Sequence, residues 1–303
     1  MILSALPDPR LFENEPGNRQ IRNTIVYAST DEKYYYPAHA TPYLFATNFI
    51  NAGQYIVNKQ PVSISDKGFY FLNPGDELAI NFKKKQQLKT LFILFNEDFV
   101  DNSLYSITAE AESQLDNPSI QHKGKSGIPN VPFQSGRLVS RLRRLLSANP
   151  GSQQEIDNAL FSLLTDFAEI NTTLQTKLLK LKAVKKSTRE ELYRRLFTAR
   201  DFMEDNATAP SLSLDDIAAY ACMNKFHFLT NFKALYGTTP YQYLTGLRLQ
   251  KAFELLKERR YTVTQACYAV GFESVPSFSS LFKRKFALSP SSLSGENKLP
   301  NFQ

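Results

Sequence analysis

Residues 213–236 read SLDDIAAYACMNKFHFLTNFKALY, and residues 262–286 read TVTQACYAVGFESVPSFSSLFKRKF. In the first stretch Ser213 and Asp216 have the spacing of a helix start, and Ile217-Ala218-Ala219 begins a short helix. Cys222-Met223 supplies a turn and Asn224 an N-cap, after which Phe228 and Phe232 fall on one face of a second helix. The second stretch repeats this grammar. Thr262 and Gln265 form a capping box, Gly271-Phe272 makes the turn, and Phe278 and Phe282 share a face. Phe232-Lys233 precedes Pro240 by the same interval that separates Phe282-Lys283 from Pro290, and the two units lie about 50 residues apart. Between them Leu249, Ala252, Phe253, Leu255 and Leu256 form the apolar stripe of a buried linking helix. Any two short packed helices can imitate one helix-turn-helix. Two at a fixed offset are a specific signal.

The charge distribution points the same way. The chain has 303 residues and a net charge of +7. Residues 1–173 hold 16 Lys+Arg and 18 Asp+Glu, a net −2, whereas residues 174–303 hold 20 and 11, a net +9. A near-neutral half joined to a basic half suits a sensing or assembly domain attached to a polyanion-binding one.

The motifs resemble those of the AraC/XylS family of bacterial transcription regulators, over roughly residues 188–293. That family's linker pattern is met by Arg248-Leu249, Ala252 and Leu255-Leu256, and its second-unit pattern by Gly271-Phe272, Phe278, Phe282-Lys283 and Ser289-Pro290. The resemblance implies an all-α C-terminal domain whose two helix-turn-helix units are joined by a long helix. It also implies double-stranded DNA and RNA polymerase as partners, transcription activation or repression as the role, and no enzymatic activity. The chain departs from the pattern at Ala266-Cys267, at Ala287 where Gly is usual, and at Thr230 and Ser280 where Arg is common. Arg reads guanine bidentately, so its absence at both places implies a different base preference, or a larger share for shape and phosphate contacts.

With Phe228 and Phe232 inward, the helical period leaves Lys225, Phe226, Leu229, Thr230 and Lys233 as DNA-contacting candidates of the first unit. Thr230 is the base-edge candidate, Phe226 and Leu229 suit thymine methyls, and Lys225 and Lys233 suit phosphates. In the second unit the matching positions are Val275, Pro276, Ser279, Ser280 and Lys283, with Arg284 and Lys285 near the helix end. Cys222 and Cys267 read as small buried residues, and His227 as a structural or phosphate-side residue.

The first half has a different period. Segments 43–50, 54–64, 68–72, 78–82 and 88–95 are rich in Phe, Tyr, Ile and Val and are separated by Asn51-Ala52-Gly53, Ser65-Asp66-Lys67-Gly68 and Asn73-Pro74-Gly75-Asp76. They predict an antiparallel, cupin-like β-barrel over about 21–100. After a loop-rich passage containing Pro118, Gly124, Gly127, Pro129 and Pro132, leucines at helical spacing predict a helical hairpin over about 134–170. The expected fold is therefore α+β in two domains. Residues 1–173 form a sensing or dimerisation domain, 174–187 a basic linker, and 188–303 the DNA-binding domain. Ser187-Thr188-Arg189-Glu190 reads as the capping box that opens the last of these.

Catalytic and metal sites have little support. His39 and His122 are the only histidines of this half and form no His-x-His pair, so neither metal nor cofactor is expected. Asp76-Glu77 and Glu97-Asp98 read as solvated loop residues beside turns or strand ends. The aromatic residues Tyr34-Tyr35-Tyr36, Tyr43, Phe45, Phe49, Tyr55, Phe69, Tyr70 and Phe71 suit either a core or a small-molecule effector site, whose lining is not identified. A domain that only dimerises, through the 134–170 hairpin, or that binds a protein partner is the alternative to an effector sensor. Two cysteines, no signal-like N-terminus and no long apolar run predict a cytoplasmic protein with no membrane association.

Overall fold

The computed structural model describes residues 2–5, 22–82, 87–108, 128–148 and 150–293. The chain divides into two units, Met1–Thr176 and Lys177–Gln303. The first is built on β-sheet and the second is helical.

In the first unit the strands are β1 (Ile2–Leu3), β2 (Thr24–Thr30), β3 (Tyr34–Ala40), β4 (Leu44–Ile50), β5 (Gly53–Val57), β6 (Gln60–Ile64), β7 (Gly68–Leu72), β8 (Glu77–Phe82), β9 (Leu88–Leu94) and β10 (Phe133–Gln134). They form a six-stranded sheet in the order β1-β2-β9-β4-β7-β10 and a four-stranded sheet in the order β3-β8-β5-β6. The expected cupin-like, antiparallel β domain is thus present as two sheets that do not close into a ring, and β1 pairs with β2 in parallel. The smaller sheet alternates. In β5, Gly53, Tyr55 and Val57 are buried while Gln54 and Ile56 are exposed. In the larger sheet β7 is buried at every residue, because helices cover the face that would otherwise meet water.

Side chains from both sheets share one core. Leu44, Tyr70, Phe92 and Leu94 of the larger sheet belong to the same cluster as Tyr36, Tyr55, Ile80 and Phe82 of the smaller. Tyr55 sits edge-on to Phe82 and Phe92, and its hydroxyl donates to Asn48 at 2.8 Å. On the other face of the larger sheet, Phe69 stacks on Phe133 and Phe71 stacks on Phe167 at 4.4 Å between centroids. Most of the aromatic residues singled out from the sequence are therefore core; Tyr35 is exposed.

Four expectations need correction. The segment 54–64 is not one strand but a hairpin, turned by Asn58 and Lys59 with φ of 48° and 66°. Asn and Lys carry a type I′-like turn without the usual Gly, so the signal was weak. Glu97-Asp98 do not end a strand; they open helix α1 (Glu97–Thr108), where Asn96 accepts from the Phe99 amide. The hairpin consists of α2 (Gly136–Ala148) and α3 (Gln153–Leu179), so the predicted linker is helical at its start. Ser187 is no cap: α4 (Lys186–Asp205) begins before it, and Arg189 donates back to the carbonyls of Ala183 and Val184. Pro118, Gly124 and Gly127 lie outside the described residues.

The second unit continues with α5 (Leu214–Tyr220), α6 (Lys225–Tyr236), α7 (Pro240–Lys257), α8 (Val263–Ala269), α9 (Val275–Phe286) and a short 3-10 turn, Pro290–Ser292. The internal repeat is α4-α5-α6 followed by α7-α8-α9. Capping boxes start α5 (Ser213, Asp216), α7 (Thr239, Gln242) and α8 (Thr262, Gln265). Matching C-caps end α6 and α9: Gly237 at φ 72° and Ala287 at φ 57°, both left-handed.

A Cβ at Gly237 would meet no atom within 4 Å, so only backbone strain opposes a side chain there. Gly237→Ala should therefore cost about 1 kcal/mol, and Ala287→Gly should gain a similar amount. Urea denaturation with hydrogen exchange on α6 and α9 amides measures both. Equal signs for the two substitutions would contradict the assignment.

Candidate nucleic-acid interface

Each repeat builds a helix, a tight turn and a second helix. In the first, α5 is followed by the turn residue Cys222, which is left-handed at φ 52° and exposed, contrary to its expected burial. Asn224 caps α6 by accepting the His227 amide at 2.8 Å. In the second repeat Gly271 takes the left-handed turn at φ 85°, Ser274 caps α9, and Cys267 is buried. Phe228, Phe232, Phe278 and Phe282 are all fully buried, so the inward faces of α6 and α9 are as read from the sequence.

Both turns are held by arginine. Arg195 of α4 donates to the Cys222 carbonyl at 2.8 Å. Arg248 of α7 donates to three carbonyls: Ala207 at 2.8 Å, Ala209 at 3.0 Å and Gly271 at 3.0 Å. Ala207 and Ala209 lie in the connection that leads into the first helix-turn-helix, and Gly271 is the turn of the second. One guanidinium thus ties the two units together. A Cβ at Gly271 would sit 3.1 Å from the Arg248 guanidinium carbon, so the position needs glycine both for φ and for this approach.

Beneath α6 the support is aromatic and charged. Arg200 is buried, ion-paired with Asp201 at 2.8 Å, and lies over the rings of Phe197 and Tyr236. Tyr243 of α7 donates to Glu204 of α4 at 2.7 Å. Burial pushes the Tyr193 phenol up to about 12 and the Tyr236 phenol well above its ordinary value.

On the outward side of α6, Phe226 is 80% exposed and Lys233 is exposed, while Leu229 and Thr230 are half-buried at the flank. Lys225 is exposed but ion-paired with Asp215 of α5 at 2.8 Å. Such a solvated pair is worth little, so this lysine can exchange its partner for a phosphate at small cost. On α9, Pro276, Ser280, Lys283 and Arg284 are exposed and Ser279 is half-buried. Val275 packs against the second core, together with Phe272 and Phe286. Lys285 donates to the Gly246 carbonyl of α7 and lies 5.4 Å from the centroid of its neighbour Phe286. Two further residues face outward, His227 and Ser277, both exposed and equivalent by the repeat. The helical period that selected Phe226 and Pro276 also places them on the outward side.

The residues weighed for catalysis or metal binding lie elsewhere. His39 is buried, edge-on to Tyr36, with Nδ1 3.1 Å from the Pro37 carbonyl. Asp76 organises a turn by accepting from the Asn73 amide and the Asn58 side chain. His122 lies outside the described residues. Among the described residues no cluster of three His, Cys, Asp or Glu could hold a metal, and no helix is long and apolar enough to cross a membrane.

Two helix-turn-helix units share one helical scaffold. Residues 217–295 match the family model described as a helix-turn-helix domain, and this part of the chain is a helix-turn-helix domain of the AraC type. Over 80 residues the chain is 38% identical to the MmsAB operon regulatory protein of Pseudomonas aeruginosa, covering 26% of each chain. Over 153 residues it is 33% identical to the HTH-type transcriptional activator RhaS of Escherichia coli, covering 50% of this chain and 53% of the relative. A solved AraC-type DNA-binding regulator from Chromobacterium violaceum shares 35% identity, covering 35% of this chain and 94% of that one, with a TM-score of 0.31. The matches thus span between a quarter and about half the length of these two relatives.

Arg248→Ala should destabilise the second unit by about 3 kcal/mol, since it leaves three carbonyls without a charged donor. Arg248→Lys should recover only part of this, because an ammonium lacks the planar fork that reaches all three. Thermal and urea unfolding of the full chain reads both. A loss under 1 kcal/mol in Arg248→Ala would show that the clamp is dispensable.

Proposed function

We propose that this chain is a sequence-specific transcription regulator, with α6 and α9 entering successive major-groove turns on one face of double-stranded DNA. The observation that carries this reading is the pair of exposed helix faces, repeated about 50 residues apart on the basic half of the chain. Phe226, Leu229, Thr230 and Lys233 would meet one groove and Pro276, Ser279, Ser280, Lys283 and Arg284 the next, with Lys225 reaching a phosphate. Val275 contributes chiefly by packing the base of α9. B-form geometry sets the two contacts about 34 Å apart. The relatives' printed roles as operon regulatory protein and transcriptional activator support the same function; on this reading it would act in the cytoplasm with RNA polymerase as partner.

The N-terminal domain would either sense a small effector or assemble subunits. Tyr36, Tyr55, Phe82 and Phe92 belong to its inter-sheet core, and assembly would run through the α2–α3 hairpin, where Phe161 is partly exposed. If an effector acts, it does so through different affinities for two arrangements of the chain.

Pull-down of genomic fragments with the full-length protein at two salt concentrations tests the proposal. The expected result is one motif with two contacts about ten base pairs apart that survives the higher salt. A repeated motif would indicate a dimer. Binding that is uniform at low salt and absent at high salt would overturn sequence-specific reading.

A further inference from the structure

The two units are alike in backbone and unlike in charge. Residues 213–237 hold two acidic and two basic side chains, net zero, whereas residues 262–287 hold one acidic and three basic, net +2. The difference is concentrated where a helix-turn-helix meets the DNA backbone. In the first unit the opening turn of α5 carries Asp215 and Asp216, and Asp215 engages Lys225, the basic residue at the start of α6. Asp216 is part of the capping box, and hydrogen bonds from Ser213 hold its carboxyl below the usual range, so the charge is fixed there. In the second unit the equivalent turn of α8 is neutral, Val263-Thr264-Gln265, and the last turn of α9 carries Lys283, Arg284 and Lys285. Lys285 is committed to α7, which leaves Lys283 and Arg284 exposed on the outward side of α9, against Lys233 alone on α6, where Lys225 is paired with Asp215.

The outward faces differ in the opposite sense. On the first turns of α6 Phe226 and His227 are exposed and Thr230 is half-buried beside them, an apolar ring with two groups able to hydrogen-bond. On α9 the matching positions are Pro276, Ser277 and Ser280, which are short and offer little to a base edge. Phosphate contacts give affinity and salt dependence without sequence information, while base-edge contacts discriminate.

We infer that the two helix-turn-helix units divide the work. The second grips phosphates and sets affinity and salt dependence, and the first reads the sequence through Phe226, His227 and Thr230. This rests on the reading of the chain as a DNA-binding regulator. It adds that the two halves of its site are recognised by different physics.

The test starts by enriching a motif from a random 40-base-pair duplex library with the full-length protein. Binding of the enriched duplex and of a scrambled duplex is then measured from 50 to 300 mM KCl. Lys283→Gln/Arg284→Gln should weaken both duplexes by the same factor, about tenfold, and lower the slope of log affinity against log salt by about 1.8. Its enriched motif should match that of the wild type. Phe226→Ala/Thr230→Ala should keep the slope and the scrambled-duplex affinity, and should lose about tenfold or more of the preference in one half-site. His227→Ala should relax preference in that same half-site. Circular dichroism confirms that each variant is folded. The division is overturned if the α9 variant erases the other half-site's motif, or if the α6 variant lowers the slope as much as the α9 variant does. A wild-type protein that enriches no motif and shows no salt-dependent binding overturns the regulator reading itself, a result distinct from either of these.

Discussion

The second unit depends on the carbonyl of a left-handed turn residue and the arginine that reaches it. A helix-turn-helix has to reverse its chain in a few residues, and each repeat does so through one residue at positive φ, Cys222 or Gly271. That geometry turns a carbonyl away from the helix ladder, where it needs a donor. Arg195 and Arg248 supply the donors from the preceding helix of each repeat. Arg248 does more than its counterpart, because its remaining nitrogens bind Ala207 and Ala209 in the connection between α4 and α5. The angle between α6 and α9 is set only if something fixes it, and hydrophobic contact alone is non-directional. A planar guanidinium with three defined acceptors imposes direction.

The same logic explains why the repeats tolerate different turn residues. Gly271 is under two demands, a positive φ and the close approach of Arg248, and only glycine meets both. Cys222 meets only the first, since Arg195 reaches its carbonyl from an exposed position. A side chain is then tolerated at the cost of some backbone strain. The Ala287 C-cap is the comparable case at the end of α9.

Much of this was legible in the sequence because the signals were local. Caps at Asn224 and Thr262, the inward pairs Phe228/Phe232 and Phe278/Phe282, and the offset of the repeat each depend on residues within one or two helical turns. What stayed hidden depended on partners far away in sequence. The aromatic segment 68–72 could be placed as a strand, but not on a sheet covered by Phe167 from a helix nearly a hundred residues later. Helix α1 was missed because Glu97-Asp98 followed a strand directly, with Asn96 as the only start signal. The start of α4 differs because it has no side-chain cap: the Arg189 amide donates to the Lys185 carbonyl, so the helix begins ahead of Ser187.

The candidate interface shows the same boundary at finer scale. Helical period separates inward from outward, and it did so correctly for the four buried phenylalanines. It does not say which outward side chains are already engaged. Lys225 and Lys285 look alike in a helical projection, yet one sits in a solvated pair with Asp215 while the other is held by the Gly246 carbonyl under α7. The first can be released at little cost, because water stabilises both ions once they separate. The second braces α9 against the linking helix, so moving it to a phosphate would give up an intramolecular contact for an intermolecular one. Charge counted along the sequence therefore overstates the charge free to meet a phosphate, and because Lys233 on α6 matches Lys283 on α9, the excess of exposed, uncommitted basic residues on α9 comes down to Arg284.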